Sequence, residues 1–402
     1  MSKLARVISI ENTDSAEREM LGVGADRAGI AIMSPKAVFR AVKVESISVT
    51  SANILKQDML SGGGEAATSY GTIDHSDKTT DVLLFGTLAQ YARLFERLKL
   101  QQFGLPGLAE EIRTSLYASD SVPAPISGME FGKRTFIMGI LNVTPDSFSD
   151  GGKYLPEDIA AGRAKEMLDE GADIVDIGGE STRPGADEVS AEEEIGRILP
   201  VIKKIANSPH RPIISVDTRK SQVAEAALKA GASIVNDVSG LSFDPKMPEV
   251  LAAYNAPVVI MHSKGDPKTM QDDPRYDDLM SEILSFFEDR IKTACKAGVK
   301  EHNIIIDPGI GFGKTLEHNL EILRRLEELR CLGRPVCLGT SRKSFIGKLL
   351  GQEDPLQRDG GTAATISLAI SKKVDIIRVH NVQIARQTAV ISDKIIREVS
   401  LR

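Results

Sequence analysis

From Phe136 onward the chain alternates between two patterns. Short runs of Ile, Val and Leu, apolar at nearly every position, end in a few polar or glycine residues. A longer stretch follows in which apolar positions return every three or four residues. The first pattern suits a strand buried on both faces, as in a parallel sheet, and the second an amphipathic helix. The strand runs are Phe136–Leu141, Ile174–Ile177, Ile213–Val216, Ser233–Asn236, Val258–Met261, Ile304–Ile306, Val336–Leu338 and Ile376–Val379. Helical patterns fill the gaps, among them Pro156–Glu170, Ala191–Ile205, Ser221–Lys229, Leu279–Ala297, Leu316–Leu329, Gly361–Ser371 and Val382–Val399. Eight strand–helix units in series predict an α/β fold closed into a (β/α)8 TIM barrel. An open, doubly wound sheet is the alternative.

Before Phe136 the pattern changes. Residues 1 to 118 read as a small separate α/β domain. Val42–Val49 alternates as a strand does, and Ser51 is placed to cap a helix running to Leu60. Val82–Phe85 is a second strand, followed by a helix from Leu88 to about Leu100. Gly62-Gly63-Gly64 follows a helix instead of opening one, so it reads as helix termination and not as a phosphate loop. Residues 119–132, SDSVPAPISGMEFG, have two prolines and no apolar period. They read as a linker to the barrel, residues 133–402.

Composition narrows the function classes. With 402 residues and 42% hydrophobic content, the chain has enough material for a barrel and an extra unit. A net charge of −6, with Lys and Arg unclustered, gives no footprint for nucleic acid. Aromatics are only 4% and Trp is absent, so no base-stacking platform is advertised. Cys295, Cys331 and Cys337 lack metal-ligand spacing and read as free thiols in a reducing, cytoplasmic setting. No apolar core long enough for a secretory signal stands at the start, and no window is long enough to span a membrane.

The chemistry of a barrel lies at the C-terminal ends of its strands. Here those ends turn polar one after another: Asn142, Gly178–Gly185, Asp217-Thr218-Arg219, Asn236-Asp237, Met261-His262, Asp307–Gly313, Gly339–Ser344 and Arg378–Asn381. After Asn142 comes a polar segment bearing Pro and Gly, with Asp146, Ser147, Phe148, Ser149 and Asp150. Each residue alone has an ordinary structural reading. Asp217 serves as a helix cap, Asn236 and Asp237 as turn residues, His262 as a core histidine, and Arg342 and Lys343 as charges at a helix start. Together they define two subsites. Asp217, Asn236, Asp307 and Lys343 suit a flat heterocycle with several N–H donors and carbonyl acceptors. Arg378, His380 and Asn142, with Arg183 near, suit a phosphorylated group, and the Asn142 oxygen suits Mg²⁺.

These segments stand in the order found in the dihydropteroate synthases, of the pterin-binding barrel family. The chain resembles them through NVTPDSFSDGG from Asn142, GGESTRPGA from Gly178, SVDT from Ser215, NDVSG from Asn236, DPGIGFGK from Asp307, SRKS from Ser341 and RVH from Arg378. The resemblance covers about residues 133–400. Two places depart from the usual pattern: His262-Ser-Lys-Gly-Asp-Pro267 after the fifth strand, and Asn381 where Asp is common.

The resemblance implies condensation of 6-hydroxymethyl-7,8-dihydropterin diphosphate with p-aminobenzoate, giving dihydropteroate and diphosphate. The leaving diphosphate is helped by Mg²⁺, and sulfonamides compete for the aminobenzoate site. Asp217, Asn236, Asp307 and Lys343 bind the pterin, with Met261 and Phe312 beside it. Asn142 holds Mg²⁺. Arg378, His380 and Thr182 hold the diphosphate. Phe148, Pro184, Lys343 and Ser344 line the aminobenzoate pocket, with Arg183 and Asp150 on the loops that close it. The reacting set is Asp217, Asp307, Lys343, Arg378 and His380, in a homodimer. A synthase using a ribosylated aminobenzene phosphate and a pterin-binding methyltransferase module are the alternatives.

Overall fold

The computed structural model describes residues 4–144, 156–180, 188–209, 212–265, 270 and 272–397. The chain divides into two compact units, Met1–Asp120 and Ser121–Arg402.

The first unit opens with helices α1 (Thr13–Val23) and α2 (Arg27–Ala37), followed by β1 (Phe39–Ser48) and α3 (Val49–Ser61). Next come β2 (Glu65–Thr68), the single turn α4 (Gly71–Asp74), β3 (Thr79–Thr87), α5 (Leu88–Leu98) and α6 (Leu105–Ala118). The strands pair antiparallel in the order β1-β3-β2. Val44, Val82 and Leu84 from the sheet bury against Leu55, Met59, Tyr91, Leu94 and Ile112 from the helices. Ser48, not Ser51, caps α3: its hydroxyl accepts the Ser51 amide at 3.1 Å, so Val49 starts the helix instead of ending the strand. Gly62 and Gly63 terminate α3, their amides bonding back to Asp58 and Leu60 carbonyls. The sequence pattern does not reveal α1, α2 or β2. The last is four residues long with two alanines, too short to show a period.

The second unit is the barrel. Its elements are β4 (Phe136–Asn142), α7 (Pro156–Asp169), β5 (Ile174–Gly178), α8 (Ala191–Ala206), β6 (Ile213–Asp217), α9 (Ser221–Ala230), β7 (Ile234–Asp237), α10 (Met247–Ala253) and β8 (Val258–Met261). They continue with α11 (Leu279–Lys296), β9 (Ile304–Asp307), α12 (Leu316–Arg324), β10 (Cys337–Leu338), α13 (Ser344–Leu350), α14 (Asp359–Ser371), β11 (Ile376–Val379) and α15 (Val382–Ile396). The eight strands pair in parallel in the order β10-β11-β4-β5-β6-β7-β8-β9. A parallel bridge between Ile306 and Val336 joins the two ends of that row. The ring is therefore closed, as eight βα units predict, and the open-sheet alternative falls.

Strand side chains alternate between two cores. Ile137, Val175, Ile214, Val235, Ile304 and Ile377 belong to the layer packed under the helices. Their neighbours Phe136, Met138, Ile174, Ile234, Val259, Ile305 and Ile376 fill the barrel interior. The stretch read as a linker contributes to that interior. Ile126 and Met129 pair across Ser127 (φ +48°) and Gly128 (φ +82°), a tight turn with both central residues left-handed. Ile126, Met129 and Phe131 bury beside Phe136 and seal the N-terminal end. The three buried residues recur with no period among the fourteen, so the sequence hides this plug.

The predicted helix Leu316–Leu329 stops at Arg324 and continues as a 3₁₀ turn, Leu326–Leu332. The tighter turn buries Leu326 and Leu329 together, and Arg330 reaches Asp375 at 2.9 Å in the interior. Cys337 is buried, whereas Cys295 and Cys331 are half-buried; all three are free thiols. Among the described residues no helix is long and apolar enough to cross a membrane.

Candidate active site

The interior column changes character along each strand. Ile174 is followed two residues on by Asp176, Ile213 by Ser215 and Asp217, Ile234 by Asn236, Val259 by Met261, Ile305 by Asp307 and Ile376 by Arg378. A period of two keeps these side chains inside the barrel, so the apolar floor gives way to a polar chamber toward the C-terminal ends. Strand register sets one row across it: Asn142 pairs with Gly178, Gly178 with Asp217, and Asp217 with Asn236. Two strand spacings put Asn142 roughly 10 Å from Asp217. Gly178 between them has no side chain to fill the gap.

One cation organises the chamber. Arg378 Nε donates to Asp176 Oδ2 at 2.7 Å and its Nη2 to Asp217 Oδ2 at 2.6 Å. The Asn236 amide nitrogen also donates to Asp176 Oδ2, at 3.1 Å. That fixes the Asn236 side chain with its nitrogen spent on Asp176 and its oxygen turned the other way. The remaining oxygens, Asp176 Oδ1 and Asp217 Oδ1, are buried and have no hydrogen-bond partner among the described residues. Orphaned buried acceptors are costly, and a ligand's N–H groups would satisfy them.

The charges perturb one another. Burial pushes Asp217 up to about 7, while Arg378 pulls it down and Asp176 pushes it further up. Burial also raises Asp307, opposed by the Gly309 amide at 2.7 Å and by Lys343. Burial and the positive charge of Arg378 bring Lys343 down to about 8, against the pull of Asp307 and Asp217. The Lys343 ammonium stands 4.0 Å over the centre of the Phe312 ring. Clustered groups with opposed shifts are a mark of functional chambers.

His380 lies at the rim. Its backbone N–H donates to Ser341 Oγ at 3.1 Å, and that hydroxyl lies 3.0 Å from His380 Nδ1. The Ser341 hydroxyl therefore holds the imidazole through Nδ1, donating or accepting according to the ring's tautomer. Asn381 caps α15 through the Ile384 amide at 3.2 Å and donates to Asp359 at 2.8 Å. Its amide serves both roles at once, as an acidic side chain in that place would not. Asn142 and Ser344 are exposed at the mouth, Met261 is buried beside Asp307, and Phe312 is half-buried. Phe148, Asp150, Thr182, Arg183 and Pro184 lie outside the described residues.

The sequence pattern of the pterin-binding enzymes matches residues 138–380, the span that builds this chamber. The chain belongs to the pterin-binding enzyme family. Within that family, a dihydropteroate synthase of Synechocystis sp. is 47% identical over 283 residues, 69% of this chain and 98% of the relative. A probable bifunctional folylpolyglutamate synthase/dihydropteroate synthase of Halobacterium salinarum is 43% identical over 375 residues. That alignment takes in 93% of this chain but 45% of the relative, so it extends from the barrel into the first unit. A dihydropteroate synthase structure from Clostridium difficile, determined in the presence of pteroic acid, matches with a TM-score of 0.63 at 51% identity. It covers 67% of this chain and 99% of its own. A structure from Xanthomonas albilineans with 4-aminobenzoic acid has a TM-score of 0.63 at 40% identity, covering 68% and 98%. The resemblance read from the motifs is borne out, and the barrel is that of a transferase family.

Within this pterin-binding barrel the sequence reading overlooked Asp176. Its signal was present: a lone carboxylate at the centre of the run Ile174-Val-Asp-Ile-Gly178, with the same inward parity as Ile174 and Gly178.

Proposed function

We propose that the barrel joins the pterin methylene carbon of 6-hydroxymethyl-7,8-dihydropterin diphosphate to the nitrogen of p-aminobenzoate, forming 7,8-dihydropteroate and releasing diphosphate. The observation that carries this reading is the pair of orphaned carboxylate oxygens, Asp176 Oδ1 and Asp217 Oδ1, in a chamber that also presents the Asn236 oxygen. A wall of acceptors suits an aminopyrimidinone edge rich in N–H donors.

The division of labour follows from charge. Asp217 and Asn236 receive the donor edge of the pterin, and Asp307 and Lys343 receive its remaining polar groups. The C–O bond to diphosphate breaks with its electron pair leaving on oxygen, and the cation left behind is delocalised over the electron-rich dihydropterin. The buried carboxylates favour that positive charge. Arg378 is committed to Asp176 and Asp217 through Nε and Nη2, and its charge would attract the departing oxygens. His380 stands beside Ser341 at the rim as a further polar group for them. The aniline nitrogen, positioned by Lys343, Ser344, Phe148, Thr182, Arg183, Pro184 and Asp150, then attacks the cation, and the acidic arylammonium formed gives its proton to water or the released diphosphate, so no strong base is needed.

Mg²⁺ fits this site as an ion carried in on the diphosphate. Among the described residues no group of three or more His, Cys, Asp or Glu side chains converges on a cation. Asn142 offers a single neutral oxygen, which suits an ion that keeps water and phosphate as its other ligands. Such an ion would neutralise the charge on the departing diphosphate.

A sulfonamide should raise the KM for p-aminobenzoate and leave kcat unchanged. Inhibition that competes with the pterin alone would contradict the assignment of the amine site. The exposed Leu368 of α14 with Val390, Ile391 and Ile395 of α15 supports a homodimer. Light scattering would show twice the monomer mass.

A further inference from the structure

Lys314 ends the DPGIGFGK run and is buried. Its Nζ lies 2.9 Å from His262 Nδ1, 3.3 Å from the His262 carbonyl oxygen and 3.0 Å from the Phe312 carbonyl oxygen. Burial brings Lys314 down to about 7 against the pull of Asp307. In its protonated form it has three N–H groups and no lone pair, so all three donors are used and Nδ1 accepts. The His262 ring then carries its proton on Nε2. Burial and the charge of Lys314 push that ring down to about 2, so it is neutral throughout the working range. The ring packs edge-on against Phe286, with centroids 4.9 Å apart.

The connections after β8 and β9 interlock around this lysine. Gly309 (φ +66°) and Gly313 (φ +61°) adopt left-handed backbone. A Cβ on Gly309 would strike the His262 carbonyl oxygen, and one on Gly313 the Lys264 carbonyl oxygen. Only glycine permits this approach. The Tyr276 hydroxyl bonds the Gly313 carbonyl at 2.8 Å from the other side. Lys314 is the buried cation that, alongside Tyr276, ties the two connections together. Its contact on Phe312 is the backbone of the residue whose ring lies 4.0 Å under Lys343.

We propose that Lys314 is a positioning residue of the pterin pocket. By tying His262 to the Phe312 carbonyl, it holds the Phe312 ring beneath the ammonium of Lys343 and so sets where that ammonium meets the pterin. This rests on the reading of Phe312 and Lys343 as pterin-binding residues. It also gives the connection after β8, which departs from the usual pattern past His262, a part in pterin recognition.

The test is a double-mutant cycle of Lys314→Met and Phe312→Leu. The readouts are Kd for 6-hydroxymethyl-7,8-dihydropterin diphosphate by calorimetry, KM for p-aminobenzoate and the thermal midpoint. Lys314→Met should weaken pterin binding about tenfold, but less than about threefold once Phe312 is leucine, because coupled positions are non-additive. The KM for p-aminobenzoate should rise by a smaller factor than the pterin Kd, since Lys343 also lines the aminobenzoate pocket but shares it with residues that Lys314 does not touch. A folded Lys314→Met protein with unchanged pterin Kd overturns the proposal, as does an equal loss in both backgrounds. If Lys314→Met does not fold, His262→Phe, which keeps the ring packing and deletes the Nδ1 acceptor, decides by the same cycle. An unsubstituted chain that does not bind the pterin diphosphate overturns the pocket reading and this proposal with it. A parent that binds, with an additive cycle, overturns this proposal alone.

Discussion

On the proposed reading, Asp217 is at once a pterin-recognising group and a titrating one. Its carboxyl is raised to about 7 by burial, so in the unliganded barrel it holds a proton below that pH. An N–H-bearing pterin favours the ionised form, so pterin affinity should rise as pH increases through 7. The stability of the free protein should run the other way. A carboxyl raised on folding stabilises below its unfolded pKa, and that stability is lost as pH climbs through about 7. Calorimetric affinity and thermal midpoints from pH 5 to 8 check both signs, and Asp217→Asn should flatten both profiles. Asp176→Asn removes a negative neighbour that helps raise Asp217, so the affinity midpoint should move to lower pH. A midpoint unmoved in that variant would show that the two carboxylates are not coupled. Asp217, Asn236, Asp307 and Lys343 were legible in the sequence because they sit where apolar runs end. The pairing of Arg378 with Asp176 and Asp217 was not. It joins positions 202 and 161 residues apart, and only closure of the ring brings them together.

At the scale of elements, periodicity found all eight barrel strands and most of their helices, with boundaries off by a residue or a turn. It failed where burial comes without repetition. The turn Ile126–Met129 and the nearby Phe131 bury three side chains in the floor of the barrel from a stretch that reads as a linker. Met129→Ala should therefore cost about 2–5 kcal/mol, the range for truncating a fully buried side chain. Chemical denaturation would measure it, and a change under about 0.5 kcal/mol, the size expected of an exposed residue, would restore the linker reading. The first unit shows the same limit. Its α3 begins three residues earlier than a Ser51 cap would place it, because the Ser48 hydroxyl takes the Ser51 amide instead.

For the whole molecule, every described residue of the chamber lies within residues 121–402, a unit with its own two-layered core. The Synechocystis relative, 98% covered by an alignment of 283 residues, is about the size of that unit alone. A protein comprising residues 121–402 should fold and keep the turnover of the full chain within about threefold, a difference below 1 kcal/mol in barrier. Loss of turnover in a folded fragment would give the first unit a direct part in the reaction. The central claim is that this chamber couples a pterin diphosphate to p-aminobenzoate. It is tested most directly by measuring diphosphate release with Mg²⁺ and each substrate alone, then together. Release that requires both substrates, with dihydropteroate formed in equal amount, is the predicted result. Tight binding of the pterin diphosphate without turnover of p-aminobenzoate, or faster turnover of a ribosylated aminobenzene phosphate, would contradict it.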